Sequence, residues 1–189
     1  MQSALYIGRF QPFHNGHLQV IKNILKDNER VIIVIGSAEK NFLPQDPMTA
    51  GERHMLIDAA LKEAKIPGDK YCIVSIRNVN NYALWVNHIN IYVPEYTRLY
   101  TGSPIVRACF EGKYSKAHRK AKIGPEIITL DRNLLPISAT EVRQAILHDE
   151  NWQALVPPST ATLLEKWEIP QRLKTVQETP DYTVFNQNY

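Results

Sequence analysis

Two kinds of apolar pattern alternate along the chain. Residues 4–7 form a short, unbroken apolar run that stops at Gly8, the signature of a strand buried on both faces. After a polar loop holding Pro12, the apolar positions Leu18, Val20, Ile21, Ile24 and Leu25 recur at helical spacing to about Asp27. Residues 31–35 are β-branched throughout and stop at Gly36, so a second buried strand follows the first helix. The order strand, helix, strand then repeats. Thr49 and Glu52 read as a capping box for a helix that Pro67 and Gly68 bring to an end. Residues 71–76 read as a strand and residues 83–92 as a helix. Residues 99–101 close a fourth strand, and Ser103 with Pro104 opens the next helix with a cap and a first-turn proline. Residues 127–130 read as a fifth strand. Ser138 and Glu141 form a second capping box for a helix holding Arg143 and Ile146. Such alternation predicts an α/β fold: a Rossmann-like, doubly wound sheet of about five parallel strands with helices on both faces. Residues 1–167 are read as one domain. Residues 168–189, with Pro170, Pro180 and little periodicity, read as a tail or linker.

Composition narrows the class. With 44% hydrophobic and 22% charged residues the chain is globular rather than disordered. Its 22 basic and 19 acidic residues leave a formal charge of +3, too mild for a nucleic-acid binder. The basic positions Lys113, Lys116, His118, Arg119, Lys120 and Lys122 read as a solvated loop, with a lid or a subunit contact as alternatives. Only Tyr114 interleaves them with an aromatic ring, which again argues against nucleic acid. No apolar run approaches the roughly 20 residues of a membrane span, and the start does not read as a signal peptide. A cytoplasmic enzyme is the expectation. Cys72 and Cys109 stand apart without a partner motif and read as reduced, packed thiols.

The chemistry concentrates in residues 8–17, between the first strand and first helix. Backbone donors at a helix start favour anions. Gly16 is expected to let a phosphate approach the backbone closely. His14 and His17, three apart, can both face such a ligand and donate hydrogen bonds to oxygens that gain charge during reaction.

This segment, with His14-Asn15-Gly16-His17, resembles the signature of the nucleotidyltransferase superfamily with the His-x-Gly-His motif. It is most similar to the archaeal-type nicotinamide-nucleotide adenylyltransferases. Three further stretches match in order. They are Gly36-Ser37-Ala38 with Asp46-Pro47-Met48-Thr49-Ala50-Gly51-Glu52-Arg53; Ala83-Leu84-Trp85-Val86 with His88-Ile89; and Ser138-Ala139-Thr140-Glu141-Val142-Arg143. The resemblance implies transfer of AMP from ATP to nicotinamide mononucleotide (NMN), giving NAD and pyrophosphate.

By the same resemblance, His14, His17 and Arg143 would be catalytic. Gly8, Arg9, Phe10, Gly16, Gly102, Ser103, Ser138 and Thr140 would bind ATP. Gly36, Ser37, Tyr82 and Trp85 would bind NMN, with Trp85 stacking on the nicotinamide. Mg²⁺ would bridge the phosphates, with no protein metal site, and the chain would form a homo-oligomer. The nucleophile is already an anionic phosphate, so positioning and charge neutralisation suffice without a general base. Tyr82 replaces an Asn, Asn78 an Asp and Asp46 an Asn common among relatives. These changes lie on the acceptor side, where nicotinate mononucleotide or pantetheine phosphate is the alternative substrate. A nucleotide-sensing module without turnover is the other alternative. Trp85 alone also fits a core position, and Arg53 fits either the site or a surface ion pair.

Overall fold

The computed structural model describes residues 2–115, 124–130 and 137–178. Five parallel strands lie in the order β3-β2-β1-β4-β5: β1 Ser3–Gly8, β2 Arg30–Ile35, β3 Tyr71–Ser75, β4 Arg98–Thr101 and β5 Glu126–Thr129. Helices α1 Asn15–Asp27, α2 Ala50–Glu63, α3 Tyr82–Tyr92 and α4 Pro104–Phe110 follow the first four strands in turn. After β5 come α5 Ala139–Leu147, α6 Pro158–Lys166 and α7 Ile169–Glu178.

Alternation along the central strands sends side chains to two cores. Ala4, Tyr6, Val31, Ile33 and Ile35 face the layer of α1, α2, α5, α6 and α7. Leu5, Ile32 and Val34 face α3 and α4, through Val86, Ile89 and Cys109. Right-handed crossovers explain the division. The chain steps outward from β1 to β3 with helices on one face. It then returns across the sheet to β4 and β5, so the next helices lie on the other. The reversal falls between β1 and β4, whose following loops diverge and leave a crevice at their carboxyl ends.

The expected tail is corrected. Residues 169–178 form α7, with Ile169, Leu173 and Val176 buried against α5 and α6. Pro170 falls in the first turn, where its missing N–H costs nothing. The apolar positions 169, 173 and 176 of α7 stand at i, i+4 and i+7, a helical stripe that Pro170 and Pro180 obscure in the sequence. Residues 179–189 lie outside the described residues, as do Lys116, His118, Arg119, Lys120 and Lys122 of the basic stretch. No described helix is long and apolar enough to cross a membrane. Cys72 and Cys109 are free thiols.

Candidate active site

Strand β1 ends at Gly8, and the loop to α1 is built around buried aromatic rings. Phe10 adopts a positive φ of 52°, and its ring lies under Gly8, where an added Cβ would come within 2.8 Å of it. Phe10, Phe13 and Tyr6 surround the His17 ring, at centroid distances of 4.8, 5.5 and 6.4 Å. His14 caps α1, accepting the His17 amide at Nδ1 (3.4 Å), while the His14 amide donates to Nδ1 of His17 (3.3 Å). The rings stack 3.6 Å apart. This reciprocal pair is a capping box made of histidines instead of Ser and Glu.

The box sets the tautomers. Each Nδ1 accepts a backbone N–H and so carries no proton. In a neutral ring the proton is therefore on Nε2. Both rings are held neutral. Burial lowers the His14 pKa to about 4, only partly offset by Glu141. Burial and then the neighbouring His14 hold His17 well below the usual imidazole range. Two Nε2–H donors result, side by side at a helix start.

Two adjoining cavities open at the crevice and share Ile7, Gly8 and Ser103. The first, about 610 Å³, brings together His14, Gly16 and His17 of α1, Gly102 and Ser103 after β4, and Ser138 at the start of α5. The second, about 590 Å³, collects Arg9, Gly36, Ser37, Tyr82 and Trp85, together with Arg77 and Asn78. Residues as far apart in sequence as Gly8 and Ser138 thus converge on one crevice, in a pocket lined by two imidazoles joined to one lined by Tyr82 and Trp85.

A cytidylyltransferase-like family model matches residues 5–145, which takes in all five strands, β1 from Leu5 onward, and the whole crevice. The chain belongs to the cytidylyltransferase-like family. Among its relatives, the nicotinamide-nucleotide adenylyltransferase of Picrophilus torridus is 38% identical over 94% of this chain and 99% of its own. That of Methanococcus aeolicus is 35% identical, over 96% and 98%. A bifunctional NMN adenylyltransferase/ADP ribose pyrophosphatase from Francisella tularensis, solved with AMP and a manganese ion, shares the fold. Its TM-score is 0.68 at 22% identity, over 92% of this chain. The chain spans about half the length of that protein (52%).

Within this cytidylyltransferase-like site, several expected residues have other occupations. Arg143 lines neither cavity and is nearly buried. Its Nη1 donates to the carbonyls of Gln11 (2.7 Å) and Ala139 (3.1 Å), and its Nη2 to Thr140 Oγ1 (3.3 Å). Three of the five guanidinium hydrogens are thus used on the protein. Thr140 serves Arg143 and also lines neither cavity. The Ser138 hydroxyl accepts the Glu141 amide as a helix cap. Arg9 lines the second cavity, not the first, and pairs loosely with Asp46 at 3.4 Å. Phe10 offers a ligand no side-chain surface because its ring is buried. Gly16 lines the first cavity, and an added Cβ there would meet the His14 ring at 3.0 Å and the Ile137 carbonyl at 3.3 Å.

Arg53 is neither a surface ion pair nor a ligand contact. Fully buried, it donates to the carbonyls of Arg9, Gly36, Ser37, Ala38, Lys40 and Thr49. One guanidinium therefore braces both loops that line the second cavity. Burial lowers its pKa, opposed first by Asp46. Gln11 was not anticipated. Its side-chain amide pairs with the backbone of Met48 in both directions, at 2.8 and 3.1 Å. A lone Gln in a loop carries no periodic signal, so only the folded chain could reveal it.

Among the described residues no cluster of three His, Cys, Asp or Glu could hold a metal ion. Glu141, the carboxylate lining the first cavity, is tied to the Ser138 amide at 2.5 Å. This donor set does not fit a resident Mg²⁺, which wants carboxylate or phosphate oxygens in an octahedron.

Proposed function

We infer that the chain is a nicotinamide-nucleotide adenylyltransferase, with ATP in the first cavity and NMN in the second. One observation carries this reading: two neutral imidazoles, each with its free Nε2–H, line a pocket contiguous with the aromatic-walled one. An anionic oxygen of the NMN phosphate attacks the α-phosphorus of ATP. The bond from that phosphorus to the bridging oxygen of the β-phosphate breaks, and pyrophosphate leaves with the electron pair. The two Nε2–H groups donate to oxygens that gain charge as this happens. The amides at the start of α5 add further donors. Arg143 acts from behind the first cavity, holding the Gln11 carbonyl of the loop before α1 and the Ala139 carbonyl at the start of α5. Mg²⁺ enters on the nucleotide as part of the substrate.

The test is release of pyrophosphate from ATP with NMN, and its loss in His17→Ala by roughly 100-fold or more, the cost of one transition-state donor. An unchanged rate in that variant would remove His17 from the mechanism. A second acceptor, nicotinate mononucleotide, is favoured by Arg77, a cation in a second cavity lined by no carboxylate. Comparing the two mononucleotides as substrates decides between them. Assembly into a homo-oligomer, as expected from the family resemblance, is part of the same proposal, and sedimentation of the free protein tests it.

A further inference from the structure

The second cavity is shaped by the segment between β2 and α2, which carries Gly36 and Ser37 into it. Arg53 grips the inner side of this segment through the carbonyls of residues 36–38 and 40. Its outer side is gripped by a different element. From α7, Arg172 makes a forked pair with Glu52 (2.8 Å to each oxygen), donates to the Pro47 carbonyl at 3.4 Å, and lies 4.6 Å over the Phe42 ring.

We propose that Arg172 is a positioning residue for acceptor binding, acting through the loop of residues 37–48. The proposal rests on the reading that the second cavity takes the mononucleotide. Phe42 has a φ of 51° and a half-exposed ring, a conformation unfavourable for a bulky residue unless a neighbour holds it. The Arg172 guanidinium is such a neighbour. Just beyond, Leu43 and Asp46 exchange two backbone hydrogen bonds (3.2 and 3.0 Å), which makes the loop tip one closed unit. The buried Asp46 carboxylate on that tip faces Arg9, which lines the cavity. A shift of the tip therefore moves Asp46 and the cation paired with it. Arg172 itself touches neither cavity, so its effect must pass through the loop. Glu52 also accepts from the Thr49 amide and hydroxyl, so the cap of α2 does not depend on Arg172.

The experiment measures kcat and both KM values for the full chain and for Arg172→Ala, with thermal unfolding alongside. The expected result is a KM for the mononucleotide raised roughly three- to fivefold, the reach of a single partly exposed ion pair. The KM for ATP should stay within about twofold, as for a site not coupled to the change. A purely structural residue would move both constants together or neither, and either outcome overturns the proposal. If Arg172→Ala does not fold, Phe42→Ala replaces it, and an unchanged mononucleotide KM in that variant is equally decisive. Trp85→Ala separates this proposal from the reading beneath it. Should Trp85→Ala leave the mononucleotide KM unchanged, the assignment of the cavity fails. Should it raise that KM while Arg172→Ala does not, only the role of Arg172 fails.

Discussion

His14 uses a single ring for three tasks: it caps a helix, stacks on His17 and keeps a donor free for a ligand. The cap needs the neutral form, because protonating Nδ1 ends its acceptance of the His17 amide. The sign of the pH dependence follows. The His14 pKa is about 4 in the folded chain, against 6.5 for a free imidazole. Between these values the unfolded chain binds more protons, so stability is complete above about pH 6.5 and is lost as pH falls toward 4. At 1.36 kcal/mol per unit the loss is on the order of 3 kcal/mol. Urea unfolding at pH 7 and pH 4.5 checks it against His14→Asn, which keeps a capping oxygen but has no titrating ring. The variant should show a shallower fall than the parent, and equal slopes would contradict the assignment.

Element boundaries were legible wherever conventional capping chemistry announces them. Thr49 with Glu52 and Ser138 with Glu141 form the boxes that their spacing predicts. The start of α1 was harder to place, because His is not a usual cap and its pairing with His17 depends on both rings being buried. Arg53 shows the limit more sharply. On α2 it sits at a position where an ion pair on the surface is equally plausible, yet it is fully buried and holds six carbonyls. Its acceptors lie up to 44 positions away along the chain, beyond the reach of any local pattern. Arg53→Met should therefore destabilise the chain by roughly 3 kcal/mol or more, since several buried carbonyls lose their donor at once. It should also raise the mononucleotide KM. A urea midpoint matching the parent would show that water or backbone groups replace the guanidinium.

At the scale of the molecule, the chain reversal between β1 and β4 creates the crevice, and the helices after β5 close one face of it. α5 supplies Ser138 and Glu141 to the first cavity, while α7 fastens α5 and α6 to the rest. Ending the chain after Glu168 would expose the surface that Ile169, Leu173 and Val176 cover. Each such side chain contributes about 1.5–3 kcal/mol, together comparable with the whole stability of a domain. The truncated protein should lack a cooperative thermal transition by circular dichroism. A transition near that of the full chain would show α7 to be dispensable for folding.

The order of apolar runs and caps was enough to determine a five-strand parallel sheet with helices on two faces, and to single out residues 8–17 as the chemical segment. These features are local or periodic, so short-range pattern encodes them. Tertiary structure alone decided that Arg143 and Arg53 hold backbone carbonyls, and that Arg9 turns toward the second cavity. Such outcomes depend on which distant groups burial brings within hydrogen-bond reach, and a buried cation must find acceptors wherever the fold places them.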